Sequence, residues 1–417
     1  MKYLLFVFYI SAFLWLLPRI RFFSASGLGK LQLRVLFLVK TAASLAYGYV
    51  GIIYMRRGTI TDSWWMHLNG QGEFAQLRQH PGTFFAQLLH NPYPHGYGRF
   101  LSSRESWWND LHSTLFLKLL AILDLFTGAH YSVNTIFFAA LGMAGSVALY
   151  RVFSQVYPGR EKAVIAGTFL LPSYLFWTSG LFRDAPAALA FAGALLVVYS
   201  ALKNGWNARY VAGLLGALLV LLLFRNTMLV ILLPALAAWI VAHRSRRHPF
   251  LVFGAIYAGY ALLFFGLRYL HPALDFPRIV AEKQEDFFNL IGSSRVDVPL
   301  LQPTAASFIA NTPHALAMTV LRPWPADVYN EFIAVACLET YALLALFGWW
   351  IFRHRPMGRP VPFIAFCIFF SLSVFLMIGF TVNFLGALVR YRGLLLPLLL
   401  TPLLATLRWP GGIRKHI

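Results

Sequence analysis

A predominantly apolar run of about 20 residues is long enough to cross the hydrocarbon layer of a bilayer as a helix. Runs of this kind begin near residues 2, 31, 131, 163, 185, 208, 226, 249, 331, 360 and 393 of this chain. They specify an all-α polytopic membrane protein with about eleven transmembrane helices, forming a single integral-membrane domain over residues 1–417. Composition agrees: charged residues make up 12% of the chain, whereas soluble domains carry about 25%. An ordinary cytosolic enzyme is excluded. Cys337 and Cys367 both lie inside apolar runs, so no extracytoplasmic disulfide framework is implied. The first 17 residues carry Lys2 and an apolar stretch, then Arg19 and Arg21 with no small-residue cleavage site. They read as an uncleaved first span.

The formal net charge of +20 would suggest nucleic acid on a soluble protein. Here its placement gives another meaning. Short connectors carry Arg19/Arg21/Lys30/Arg34, Arg151/Arg160/Lys162, Lys203/Arg209, Arg244/Arg246/Arg247 and Arg353/Arg355/Arg359, and the tail carries Arg408/Arg414/Lys415. With eleven spans all six groups fall on one side, which the positive-inside rule makes cytoplasmic. The C-terminus then lies inside a bacterial inner membrane, its basic connectors meeting anionic lipid. No nucleic-acid partner is expected.

Two long segments remain on the outer face, about 55–130 and 271–330, and they hold 11 of the 15 acidic residues. Residues 111–127, "LHSTLFLKLLAILDLFT", are apolar but interrupted by Lys118 and Asp124, so they read as an interfacial or re-entrant helix. Long loops in compact proteins usually serve function. Asp62 lies just outside the second span beside Trp64, Trp65 and His67, a position that suits a general base acting on a sugar hydroxyl. Glu73, Glu105 and Asp110 are weaker acidic candidates.

Substrate binding is sought at the outer helix ends. "LFRDAP" (181–186) and "LFRNTM" (223–228) each place an arginine, Arg183 or Arg225, before a capping residue, Asp184 or Asn226. An arginine beside a helix N-terminus makes an anion site. "VLRPWPADVYNEF" (320–332) pins Arg322 and Asp327 before a span, and Glu339 lies eight residues into that span. An ionisable group at that depth is a functional candidate by default. "NFLGALVRYRGLLLPLLL" (383–400) sets Arg390 and Arg392 around Tyr391. Five outer arginines run against the positive-inside trend, and an anionic substrate explains them best. His67, His80, His90, His95 and His112 show no tight ligand spacing and GxxxxGK[ST] is absent, so neither metal nor cofactor is called for.

The outer-face acid after an early span, the "PSYLFWTSGLFRDA" helix, the "RPWP" turn and the terminal "RYRGLLLP" together resemble bacterial envelope-glycan membrane proteins. They are similar to the GT-C glycosyltransferases, which include dolichyl- and undecaprenyl-phosphate-sugar-dependent mannosyl- and arabinosyltransferases, and to polysaccharide polymerases of the O-antigen type. The resemblance implies a polyprenyl-linked sugar or oligosaccharide as substrate, with Asp62 as base and the outer arginines on the lipid phosphate. It also implies other glycan-assembly proteins as partners. Two alternatives stay open: a repeat-unit polymerase, and a transporter or flippase of an anionic lipid-linked substrate. A reporter fused after residue 160 or 246 is expected to face the cytoplasm, and one at residue 62 or 290 the outside. Any exchange between the two sets would contradict the charge argument.

Overall fold

The computed structural model describes residues 2–98, 106–292, 294–354 and 361–408. Among them every regular element is a helix, and the isolated bridges Arg295–Phe384 and His354–Leu407 belong to no strand. The chain opens with α1 (Lys2–Leu16), the short α2 (Arg21–Ser24) and α3 (Lys30–Arg56). The first long connector contains α4 (Asp62–Gln79), α5 (Pro81–Ala86) and α6 (Trp107–Thr127). Then come α7 (Tyr131–Val156), α8 (Glu161–Phe169), α9 (Pro172–Trp177), α10 (Asp184–Asn204), α11 (Ala208–Phe224), α12 (Asn226–Arg244) and α13 (Pro249–Gly266). The second connector contains α14 (Phe276–Phe288) and α15 (Ala305–Leu321). Last are α16 (Glu331–Arg353), α17 (Val361–Thr381), α18 (Leu385–Gly393) and α19 (Leu396–Thr406).

Eight helical segments, built on α1, α3, α7, α10, α12, α13, α16 and α17, are long and apolar enough to cross a membrane. The bent pair α18–α19, with a 58° break, brings the number up to nine. The chain is a multi-pass membrane protein. The two other apolar runs differ from these. α11 has 17 residues, and the run from residue 163 breaks after Phe169 and again after Trp177. Pro172 has no N–H and restricts the residue before it, so α8 stops and α9 restarts on the proline. Pro397 is the second residue of α19, just past the bend.

The described chain gathers into two compact units. The first comprises residues 1–152 and 175–230. In it α6 packs along α4, and α10 along α11, with Met66, Phe116, Leu120, Phe182 and Phe224 in one apolar cluster. The two charges that interrupt α6 point to different neighbours. Lys118 bonds Glu73 of α4 at 2.8 Å, while the Asp124 carboxylate accepts from Asn134 of α7 at 2.7 Å. Their scatter around the helix follows from those two partners. The buried Lys40 of α3 donates to Thr178 at 2.9 Å, in the break between α9 and α10.

The second unit comprises residues 153–174 and 231–417. Here α8 packs on α19, and α14 and α15 both pack on α17. Gln284 of α14 is buried; it donates to the carbonyls of Pro299 and Phe380 and accepts from the Leu301 N–H. One side chain thus ties the second connector to the end of α17. Gly379 lets α15 approach closely, since a Cβ there would run into the Ala315 carbonyl. Gly379→Ala is therefore expected to destabilise the protein by about 1–3 kcal/mol. Gly193→Ala, which meets nothing within 4 Å, is expected to leave thermal unfolding unchanged or raise it. Equal behaviour of the two variants would contradict the close approach.

A candidate lipid site in the second unit

The densest polar constellation of the second unit centres on Arg392, which is 4% exposed. It lies near the end of α18, whose first turn enters from the extended segment at Phe384. Its Nη1 donates to the carbonyls of Thr319, at 2.9 Å, and Arg322, at 2.6 Å. Its Nη2 donates to the hydroxyl of Thr340. The "RPWP" turn, α15, α16 and α18 therefore meet at one guanidinium. No carboxylate lies within ion-pair distance of it among the described residues.

Glu339 is buried one residue before Thr340, and its two oxygens accept from the N–H, at 2.8 Å, and the hydroxyl of Ser173. It makes no ion pair with Arg392. Arg322 turns to its own loop. It pairs with Asp327 at 3.1 Å, stands 4.7 Å from the centre of the Trp324 ring, and lends Arg392 only its carbonyl. Asp327 also accepts from the Trp324 N–H at 2.7 Å. Arg390 lies 6.0 Å from the Tyr391 ring centre.

Below this cluster runs a partly enclosed cavity of about 690 Å³. Thr319, Thr340 and Arg392 line one end. Leu344, Phe347, Ile364, Ile368, Leu399 and Leu403 line it as well, together with His248, Trp350 and Thr406. Thr340 and Trp350 are ten residues apart on α16, a separation of about 15 Å along the axis. α16 is tied to its neighbours at both levels: by Thr340 to Arg392, and by Trp350 to Thr406 at 2.8 Å. Apart from those ties α16 buries little of itself, with Leu338 72% and Phe352 85% exposed. The arrangement is an apolar slot headed by a cation.

Other expected residues lie in the first unit. Arg225 and Asp184, from the two "LFR" echoes, form an ion pair with each other. Asp184 is the first residue of α10, with Arg183 in the capping position, so its carboxylate serves Arg225 where a cap was expected. Asn226 accepts from the Thr227 N–H at 2.7 Å, relieving one free donor at the start of α12. Arg183 reaches Ser113 at 3.4 Å. Asp62 is the exposed first residue of α4. On the inner side of that helix Ser63 bonds Tyr131 at 2.5 Å, Trp64 stacks on the same ring at 4.3 Å, and His67 is buried. His67 thus lies on the buried side of α4, whereas Asp62 is exposed. Glu73 and Asp110 take structural partners, Lys118 and Tyr93; Glu105 lies outside the described residues.

Sequence reasoning missed Thr319 and Thr340, because hydroxyls within apolar runs carry no distinctive spacing. It also missed the Asp124–Asn134–Thr127 network, in which burial pushes the Asp124 carboxyl up. No group of three or more His, Cys, Asp or Glu side chains that could hold a metal occurs among the described residues. No family model, characterised protein or solved structure matches the chain.

His67 offers a direct check on the first unit. Burial, and then the charge of His130, hold its imidazole down at about 4 against an ordinary value of 6.5. The folded state therefore prefers neutral His67. Its contribution is complete above pH 6.5 and is lost as pH falls toward 4. The expected loss is on the order of 3 kcal/mol, read as a falling unfolding temperature, and His67→Gln should flatten that slope. An unchanged slope in the variant would contradict a buried neutral His67.

Proposed function

We propose that the protein is a glycosyltransferase of the bacterial inner membrane, with its C-terminus cytoplasmic. It would draw a polyprenyl-phosphate-linked sugar from the bilayer and transfer it at the outer face, in cell-envelope or exopolysaccharide synthesis. The observation that carries this reading is the apolar cavity headed by Arg392, a buried cation with no ion-pair partner among the described residues. Such a charge in low dielectric is costly unless an anion completes it. An amphiphile with an apolar tail and an anionic head supplies both halves of the site.

The chemistry follows from that donor. The bond from the anomeric carbon to the phosphate oxygen breaks, and the acceptor hydroxyl oxygen forms the new bond to that carbon. The leaving group is a polyprenyl phosphate, whose developing charge suits a guanidinium already held in place by its own bonds. The acceptor proton passes to a carboxylate, which we assign to Asp62 on the exposed start of α4. No nucleotide is required, because the donor bond carries its own activation.

A repeat-unit polymerase is the second reading, and it is favoured by an arginine, not a carboxylate, at the head of the cavity. A flippase for an anionic lipid-linked substrate is a third, supported by the helix breaks after Phe169 and Trp177. Asp62→Asn is expected to abolish glycan product while leaving thermal stability intact, since Asp62 is exposed. Accumulation of a truncated unit would fit a transferase, and accumulation of single complete repeats a polymerase. Full product in the variant would remove Asp62 as the base.

A further inference from the structure

The turn between α6 and α7 gathers three buried side chains from the end of one helix and the start of the next. Asp124 and Thr127 stand three residues apart in the last turn of α6 and so share a face. Asn134 is the fourth residue of α7. Between them Gly128 closes α6 in the left-handed region, with φ 66°. Asp124, Thr127 and Asn134 are each 0% exposed.

This cluster is rich in oxygen and short of hydrogen. Asn134 Nδ2 donates to Asp124 Oδ1 at 2.7 Å. Thr127 has one hydroxyl hydrogen and three acceptors in reach: Asn134 Oδ1 at 2.5 Å, and Asp124 Oδ1 and the Leu123 carbonyl at 3.3 Å each. The hydrogen goes to the nearest, Asn134, and the Thr127 lone pairs remain available beside the carboxylate. Asp124 Oδ2 has no hydrogen-bond partner. His130 lies beside Gly128 but forms no ion pair with Asp124.

A bare carboxylate is costly here on three grounds. It is fully buried, one of its oxygens is unpaired, and it sits at the negative end of the α6 dipole. A proton on Oδ2 removes the charge but leaves an O–H with no acceptor, so part of the deficit stays. A cation removes all of it. Asp124 Oδ1 and Thr127 Oγ1 are 3.3 Å apart. Two neighbouring oxygens that each bond one ion at about 2.4 Å stand roughly 3.4 Å apart. Main-chain carbonyls at a helix C-terminus can complement such an ion. One carboxylate supplies one negative charge, which matches a monovalent ion. All three side chains offer hard oxygens, with no imidazole or thiolate among them, so a transition metal does not suit the site.

We infer that Asp124 and Thr127 bind a single small monovalent cation, of the sodium class, with the Asn134 amide holding both ligand oxygens in place. This inference stands independently of the glycosyl-transfer reading. Bound there, the ion clamps α6 to α7. Because α6 packs along α4, it also steadies the first long connector, in which α4 begins at Asp62.

The test uses the full-length protein in nanodiscs, radiolabelled sodium, and ionic strength held constant with choline chloride. One saturable site per chain is expected, displaced by sodium chloride and not by choline. Sodium should raise the unfolding temperature over the same concentration range. Asp124→Asn should abolish the binding. Thr127→Val should weaken it about tenfold, as for one lost polar contact to a charge. Should Asp124→Asn fail to fold, Thr127→Val, which keeps the carboxylate and nearly the same volume, decides the question. No saturable binding in the wild type, or binding that Thr127→Val leaves unchanged, overturns the inference. Displacement of sodium by micromolar calcium overturns the monovalent assignment. An unfolding temperature that follows pH and ignores sodium overturns it as well, marking Asp124 as a proton site.

Discussion

A charged or hydrogen-bonding group inside an apolar protein must find its partners within the chain, and most of this structure follows from that requirement. Arg392 shows it most fully. Its guanidinium collects two main-chain carbonyls and a hydroxyl from α15, the "RPWP" turn and α16. The carbonyls of Thr319 and Arg322 stand at the end of α15, where the helix itself provides no donor for them. A helix end, a proline turn and a buried cation solve one another's deficits. Lys40 with Thr178 repeats the pattern at a helix break in the other unit, and Ser173 with Glu339 does so at the start of α9.

The functional reading grows from what these pairings leave over. Arg225 with Asp184, Arg322 with Asp327 and Lys118 with Glu73 are closed pairs, each cation facing a carboxylate. Arg392 is bound by neutral groups and lines an apolar slot. A structural cation of this kind is normally completed by an acid. Here the completing anion is assigned to the substrate, with the bilayer as its source and the walls of α16, α17 and α19 as the surface that holds its chain.

Much of the fold was legible in the chain. Apolar runs gave the helices, and the residues that stop them, Pro172 and Pro397, are visible in the sequence. The breaks in the run from residue 163 were legible too: Pro172, Ser173, Thr178, Ser179 and Gly180 make it more polar and breakable than its neighbours, and the helix stops after Phe169 and again after Trp177. The importance of Arg392, Glu339 and Arg322 was legible from their rarity in apolar surroundings. Their division of labour was not. Whether an arginine is closed by an acid depends on partners such as Asp184 for Arg225, which lies 41 residues away in the chain. Thr340 and Ser173 gain meaning only from α18 and α16, elements remote in sequence. Nor could spacing show that helical rotation puts Asp62 on the exposed side of α4 and His67 on the buried side.

The central claim is that an anionic lipid completes Arg392 within the slot. Native mass spectrometry of the full chain, extracted gently from its own membrane, tests this most directly. The account requires a co-purifying isoprenoid lipid with one phosphate, retained by the wild type and lost in Arg392→Gln and Leu399→Trp alike. Recovery of the wild-type protein free of such a lipid, or with a lipid complement that both variants keep unchanged, would contradict it.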